Sequence, residues 1–352
     1  MNPPSHRFPV LDTVRGLAFL MVVFSHLGIL RGFFTIGIGQ FGVWIFFVLS
    51  AFLLSRPFFE APDRLKNPRE LVKYLRHRAF RIFPPLALAV IAFAWVIPNF
   101  TWRLGVANFL CLQGYGIFWT VFVETRYYLL LPFVVAAVLV LKSKPTALGL
   151  ILAAGIALNV YDCPFWLPRN LWRASSAGPS ATWTSGEHMF MQYLPLFVGG
   201  TLLAALHLAM TTSALWSKRL RRLAPIGFLA ALLGFAVLSS SGLSWLTGRP
   251  DSPYYYHGMW LPMLPLPLAL VLCAASLTGR FERFFGHPVF RFFGKISYSG
   301  YLFHALFVVT LDPLLPGNVL YLTVVLAATL AAATASHYLI ERPFIALAHR
   351  SQ

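Results

Sequence analysis

A run of about twenty apolar residues satisfies its backbone hydrogen bonds in lipid only by coiling into a helix, and this chain repeats such runs almost from end to end. Windows long enough to cross a bilayer fall at roughly 10–30, 41–59, 81–98, 119–141, 146–162, 187–209, 223–243, 257–278, 297–315 and 318–340. With 58% hydrophobic and 11% charged residues among 352, the chain is too apolar for an ordinary soluble domain. The pattern predicts an all-α, polytopic membrane bundle of about ten transmembrane helices. The longest stretches between spans, about 60–80, 99–118 and 163–186, are each too short to build a core of their own. Residues 1–352 therefore read as one transmembrane domain with no fused soluble domain. The first run carries Asp12 and Arg15 at its start and shows no small-residue cleavage site, so it reads as a retained span rather than a signal peptide.

A formal net charge of +17 suggests nucleic acid only until the basic residues are placed along the spans. With the N-terminus inside, 22 of the 28 Lys and Arg fall on inner segments, eight of them between Arg56 and Arg81. Arg31, Arg103, Arg126, Arg169, Arg173 and Arg249 are left for the opposite side. This asymmetry predicts both termini cytoplasmic and explains most of the basic excess without nucleic acid. Cys111, Cys163 and Cys273 lack metal-ligand spacing and read as packing residues, with a Cys111–Cys163 disulfide as the weaker alternative. The ten histidines are scattered without HExxH or HxxxH spacing, so no metal site is expected, and no GxSxG elbow points to a serine nucleophile.

Ionisable groups inside spans are costly in lipid and mark cavities or substrate paths. Arg15 and His26 are eleven residues apart in LDTVRGLAFLMVVFSHLGIL, three turns plus about 20°, so they share one helix face. Their axial separation is roughly 16 Å, about half a bilayer core. Arg78 and Arg81 share a face at the inner mouth of the third span, either as a clamp for phosphates or as headgroup anchors. Glu124 lies near the start of the fourth span, placed by the sequence near the outer face, with Tyr128 one turn on. It suits binding a hydroxyl, orienting a histidine or pairing with a buried arginine. Ser297, Tyr298, Ser299, Tyr301 and His304 punctuate one helix as a polar stripe, which serves either a site or interhelical hydrogen bonding. Glu341 and Arg342 read as local pairing at the inner end of the last span. The outer segments 163–186 and 251–258, rich in Trp, Pro and Tyr, read as a cleft cap or as interfacial connectors. Without metal or serine chemistry, a histidine general base is the simplest catalytic proposal.

Six segments, in order, resemble the membrane-bound acyltransferase 3 family of bacterial O-acyltransferases: LDTVRGLAFLMVVFSH at 11–26, GVWIFFVLSAFLL at 42–54, RAFRIFPP at 78–85, FWTVFVETRYYLLLP at 118–132, FGKISYSGYLFH at 293–304 and YLIERPF at 338–344. The resemblance implies a bundle of about ten helices in a bacterial inner membrane. Such a bundle moves an acyl group, commonly acetyl, from cytosolic acyl-CoA to a hydroxyl at or beyond the outer face. It implies His26 as the essential histidine, Arg15 as its partner, Arg78 and Arg81 as the arginines that contact CoA, and Glu124 as the motif glutamate. Tyr298 and His304 match the SYSxYLxH pattern and are expected to bind substrate. Ala51 stands where a glycine is usual, tightening a helix contact, and Thr120 and Phe122 replace serines before Glu124. The expected acceptor is a cell-envelope or exported glycan, reached at the bundle itself or through a separate relay protein, with a small secondary metabolite as the alternative. Two rival readings remain: a secondary transporter of a polar solute, and a scaffold whose buried charges merely pair.

Overall fold

The computed structural model describes residues 8–27, 38–141, 186–238, 264–315 and 319–350. All regular elements among them are helical: α1 (Pro9–His26), α2 (Ile38–Glu60), α3 (Pro68–Val96), α4 (Trp102–Phe109), α5 (Trp119–Leu141), α6 (Gly186–Thr212), α7 (Ala214–Val237), α8 (Pro265–Ser276), α9 (Gly279–Phe285), α10 (Pro288–Leu311), α11 (Val319–Ser336) and α12 (Arg342–Arg350). Short 3-10 turns cover Pro62–Lys66 and Gly116–Phe118, and a π turn at His337–Glu341 joins α11 to α12. The predicted span 146–162, residues 163–185, Cys163 and the turn 251–258 lie outside the described residues.

Seven helical stretches are long and apolar enough to cross a membrane: Pro9–His26, Ile38–Glu60, Pro68–Val96, Gly116–Leu141, Tyr193–Thr212, Ala214–Val237 and Val319–Arg350. The chain is a multi-pass membrane protein. Of the remaining windows, 257–278 is described only from Leu264 onward, where α8 is twelve residues long. The window 297–315 falls on α10, which is 24 residues long but carries the polar stripe and so misses the apolarity of a lipid-facing span. Its position explains why it tolerates those groups: α10 packs between α1 and α11, and Ser297, Ser299 and His304 are buried.

Helix starts follow ordinary capping chemistry. Asn67 caps α3 through Arg69 N at 3.0 Å, with Pro68 in the first turn, so this helix begins well before the apolar window and carries Arg78 and Arg81 within it. Pro9 opens α1 and Pro288 opens α10. Helices α1 and α10 run in the same direction, with Asp12 beside Arg291 at one end and His26 beside His304 at the other. Helix α2 runs against α1, and α2, α5 and α6 run together, as Ser50 meets Glu124 and Ser55 meets Thr201. The first and last described residues sit at the same end of the bundle: Phe8 lies over Arg56 near the end of α2, while Arg76 and His77 near the start of α3 hold the Ala348 carbonyl.

Two glycines permit backbone contact. A Cβ at Gly294 of α10 would collide with the Asp12 carbonyl of α1, and one at Gly42 of α2 with the Ala18 carbonyl. Neither obstacle is a movable side-chain end. Ala51, at the position where a glycine is usual, packs fully buried against Gly200 of α6. Cys273 packs buried against Gly227, while Cys111 sits half-buried beside Thr125. We expect Gly294→Ala to destabilise the protein by about 1–3 kcal/mol through overpacking. Thermal unfolding in detergent, with the exposed Thr323→Ala as control, checks this; matching midpoints would mean the two backbones are not in contact.

Candidate active site

One cavity, about 250 Å³, opens among α1, α2, α3, α5 and α10. Arg15, Arg78, Arg81, Glu124 and Tyr298 line it, so five of the seven residues singled out in the sequence converge. The other two, His26 and His304, do not line it but meet each other, with ring centroids 5.0 Å apart.

The cavity is graded along its length. Arg78 and Arg81 of α3 and Tyr128 of α5 lie towards the end that holds Phe8 and Ala348, with Arg15 and Glu124 beside them. Val43 and Phe46 of α2, Thr120 and Val121 of α5 and Tyr301 of α10 lie towards the other end. The charged half contains three guanidinium groups and one carboxylate. Among the described residues none of the three arginines makes an ion pair, and Arg78 Nε is buried without a hydrogen-bond partner. Arg15 feels Arg81 as repulsive and Asp12, then more weakly Glu124, as attractive. Taking such charges out of water without a partner is expensive, so the arrangement favours an anion with several oxygens. Simple headgroup anchoring does not describe Arg78 and Arg81, because both face an interior cavity.

Glu124 is not near an outer face. Its Oε1 accepts from Ser50 Oγ of α2 at 2.7 Å and from Tyr128 Oη, and it shares the cavity with the arginines. The reason is the loop before α5: Tyr301, well inside α10, donates to the Ile117 carbonyl at 2.9 Å, so α5 starts at depth rather than at the surface. Among the described residues Glu124 reaches no histidine, and its partners there are the two hydroxyls. Tyr298 donates to the Ile82 carbonyl at 3.0 Å and so ties α10 to α3 beside the arginines.

The tautomers of the histidine pair follow from their partners, because a carbonyl only accepts. His26 Nδ1 lies 2.8 Å from the Val22 carbonyl and His304 Nδ1 lies 2.6 Å from the Tyr301 carbonyl, so in each neutral ring Nδ1 carries the proton. Both Nε2 atoms are then lone-pair acceptors. That of His304 is buried without a partner, whereas His26 is exposed. A hydroxyl brought to His26 meets a base whose proton-accepting nitrogen is free among the described residues.

A family model for an acyltransferase domain matches residues 8–338, nearly the whole chain. The chain belongs to the acyltransferase 3 family. No curated protein and no solved structure matches it. The cavity and the histidine pair beside it both fall within the matched region.

Some contacts had little sequence signal. Ser50 is the one hydroxyl in an apolar run, which was its only cue. Glu341 pairs locally, but with His337 at 3.1 Å rather than with Arg342, and it also accepts from Ser299 at 3.2 Å inside the π turn's packing. Arg56 bridges Glu60 at 2.6 Å and His207 Nδ1 at 2.8 Å, a link between α2 and α6 that no motif announced.

Pyrophosphate is expected to raise the unfolding temperature of the purified protein, because it supplies the missing negative charge. Arg78→Ala and Arg81→Ala should each weaken its binding about tenfold, in line with the loss of one charge-assisted contact. Equal affinity for all three proteins in calorimetry would show that these side chains do not bind anions.

Proposed function

We propose that the protein is an integral-membrane O-acyltransferase that moves an acyl group, in the first instance acetyl, from acyl-CoA to a hydroxyl of a cell-envelope or exported glycan. The observation that carries this reading is the set of three unpaired arginines on one cavity, a histidine pair lying beyond its far end. A membrane-embedded site with excess positive charge suits a donor bearing several phosphates, and the apolar far half suits the neutral arm and the acyl group.

In this reading Arg15, Arg78 and Arg81 hold the phosphates, and Tyr298 and Glu124 fix the arm between them and His26. The acceptor need not pass the arginines, since His26 is exposed. His26 Nε2 takes the proton of the acceptor hydroxyl as its oxygen attacks the thioester carbonyl. The C–S bond then breaks, the ester forms, and the imidazolium returns the proton to the departing thiolate, so the enzyme ends as it began. His304 supplies a second neutral ring against His26 and helps fix the orientation of that imidazole, its own Nδ1 being held by the Tyr301 carbonyl. Glu124 offsets part of the positive charge and accepts hydrogen bonds through the ends of Ser50 and Tyr128.

Orientation follows the charge distribution. The end of the bundle carrying Arg64 to Arg81, Lys218 to Arg222, Arg280 and Arg350 is placed in the cytosol, with both termini there and about ten spans in a bacterial inner membrane. This puts the arginine end of the cavity on the acyl-CoA side. A glycan acceptor arrives from the opposite side, directly or through a relay protein.

Membranes containing wild type or His26→Ala, incubated with acetyl-CoA labelled in the acetyl group and a crude envelope glycan fraction, test this. Wild type should release free CoA and transfer label, and His26→Ala should lose at least a hundredfold of the transfer while remaining folded and inserted. Arg81→Ala should raise KM far more than it lowers kcat. Undiminished transfer by folded His26→Ala would remove it as the base, and solute flux without CoA release would favour a transporter.

A further inference from the structure

The cavity stops short of the histidines, and two aromatic side chains stand at that end. Tyr301 and Phe46 both line it, with ring centroids 6.4 Å apart, and the Tyr301 ring lies 5.4 Å from that of His304. Tyr301 therefore touches both the cavity and the histidine pair. Its hydroxyl is tied to the Ile117 carbonyl at 2.9 Å in the 3-10 turn Gly116–Phe118, and its own carbonyl holds His304 Nδ1 at 2.6 Å. Being 7% exposed and held at ring tip and backbone, it cannot turn aside without losing a buried hydrogen bond. Thr120 and Val121 close the adjoining wall, and the Thr120 hydroxyl is likewise spent on the Ile117 carbonyl at 3.2 Å.

We propose that Tyr301, with Phe46 against it, is the residue that sets the length of the acyl group the enzyme accepts. The inference rests on the acyltransferase reading and deepens it. When the thioester carbonyl lies close enough for a hydroxyl activated by His26 to attack, the acyl group occupies the space in front of the Tyr301 ring. The lining there is apolar, from Val43, Phe46, Phe47 and Val121, so an alkyl group is welcome as far as the aromatic wall and no further. A short acyl fits ahead of the wall. Each further methylene must displace a ring that is hydrogen-bonded at its tip, and close-packed interiors resist such insertion. Discrimination of roughly 10–200-fold per methylene is what a rigid apolar wall provides.

The full-length protein, in membranes, is assayed with acetyl-, butyryl-, hexanoyl- and octanoyl-CoA, reading CoA release and label transfer to the same glycan fraction. Wild type should fall at least tenfold in kcat/KM between acetyl and hexanoyl. Tyr301→Ala should raise the hexanoyl-to-acetyl ratio tenfold or more, Tyr301→Phe should raise it less because the ring stays but its anchor is lost, and Phe46→Ala should shift it in the same direction as Tyr301→Ala. If Tyr301→Ala does not fold, Phe46→Ala and Tyr301→Leu carry the test. A merely structural role lowers turnover of every donor alike and leaves the ratio unchanged; an unchanged ratio in active variants, or a wild type that prefers the longer donors, overturns the proposal while leaving the transferase intact. Absence of turnover by folded wild type with every donor overturns both.

Discussion

The contact between the backbones of α1 and α10 is the constraint on which the site depends. Gly294 lies against the Asp12 carbonyl with no space for a side chain, and Arg291 pairs with Asp12 at 3.4 Å close by. Because the two helices run in the same direction from that contact, the side of α1 that faces α10 stays against it along its length. Gly300 leaves room for the Phe19 ring, and His304 meets His26. Arg15 is held between these two points, on the face that looks into the cavity. A slip of one turn would move His304 about 5.4 Å along the axis, beyond ring contact with His26. Small residues at a helix interface serve here as a register device as much as a packing device.

The same closeness explains how polar groups survive in a membrane span. Helix α10 hides its hydroxyls and His304 against α1, α3 and α11, and each hydroxyl along the stripe has a partner suited to it. Ser297 donates to the Gly294 carbonyl, Tyr298 to Ile82, Ser299 to Glu341 and Tyr301 to Ile117. Among the described residues several buried side-chain polar atoms have no hydrogen-bond partner, and two of them, Arg78 Nε and His304 Nε2, lie one at each end of the proposed path. Buried polar atoms are normally satisfied, and groups left open at the two ends of one path are what a substrate that bridges them would fill.

The all-helical class was readable from hydropathy, because lipid leaves the backbone few choices, whereas seven candidate spans stand among the described residues against about ten expected. The window 119–141 coincides with α5, and 41–59 differs from α2 only at the ends. The window 81–98 missed the beginning of α3, since its first turns are amphipathic and basic and hydropathy does not register them. Which residues share a helix face was readable too: Glu124 with Tyr128, and Arg78 with Arg81. Periodicity within a helix cannot say which helices meet or at what depth. Glu124 was therefore placed near an outer face and offered to a histidine, whereas a turn at Gly116–Phe118, pinned by Tyr301, starts its helix deep in the bundle and hands the carboxylate to Ser50. Arg15 and His26 do share a face, yet only Arg15 lines the cavity, while His26 meets His304 just past the Tyr301 ring.

The one carboxylate among three arginines has a physical rationale of its own. Four charges of which three are positive leave the cavity with a net excess of two, enough to attract a polyanion and too little carboxylate to neutralise the site internally. Were a second carboxylate present, the arginines would pair with it, and a phosphate would have to displace a partner already in place. Were Glu124 absent, Ser50 and Tyr128 would lose their acceptor and the unopposed charge would weigh on folding before any ligand arrived. Glu124 thus offsets part of the arginines' charge without cancelling it. The same logic accounts for its partners being hydroxyls rather than a guanidinium: Ser50 and Tyr128 stabilise the carboxylate without consuming the positive charge of the three arginines.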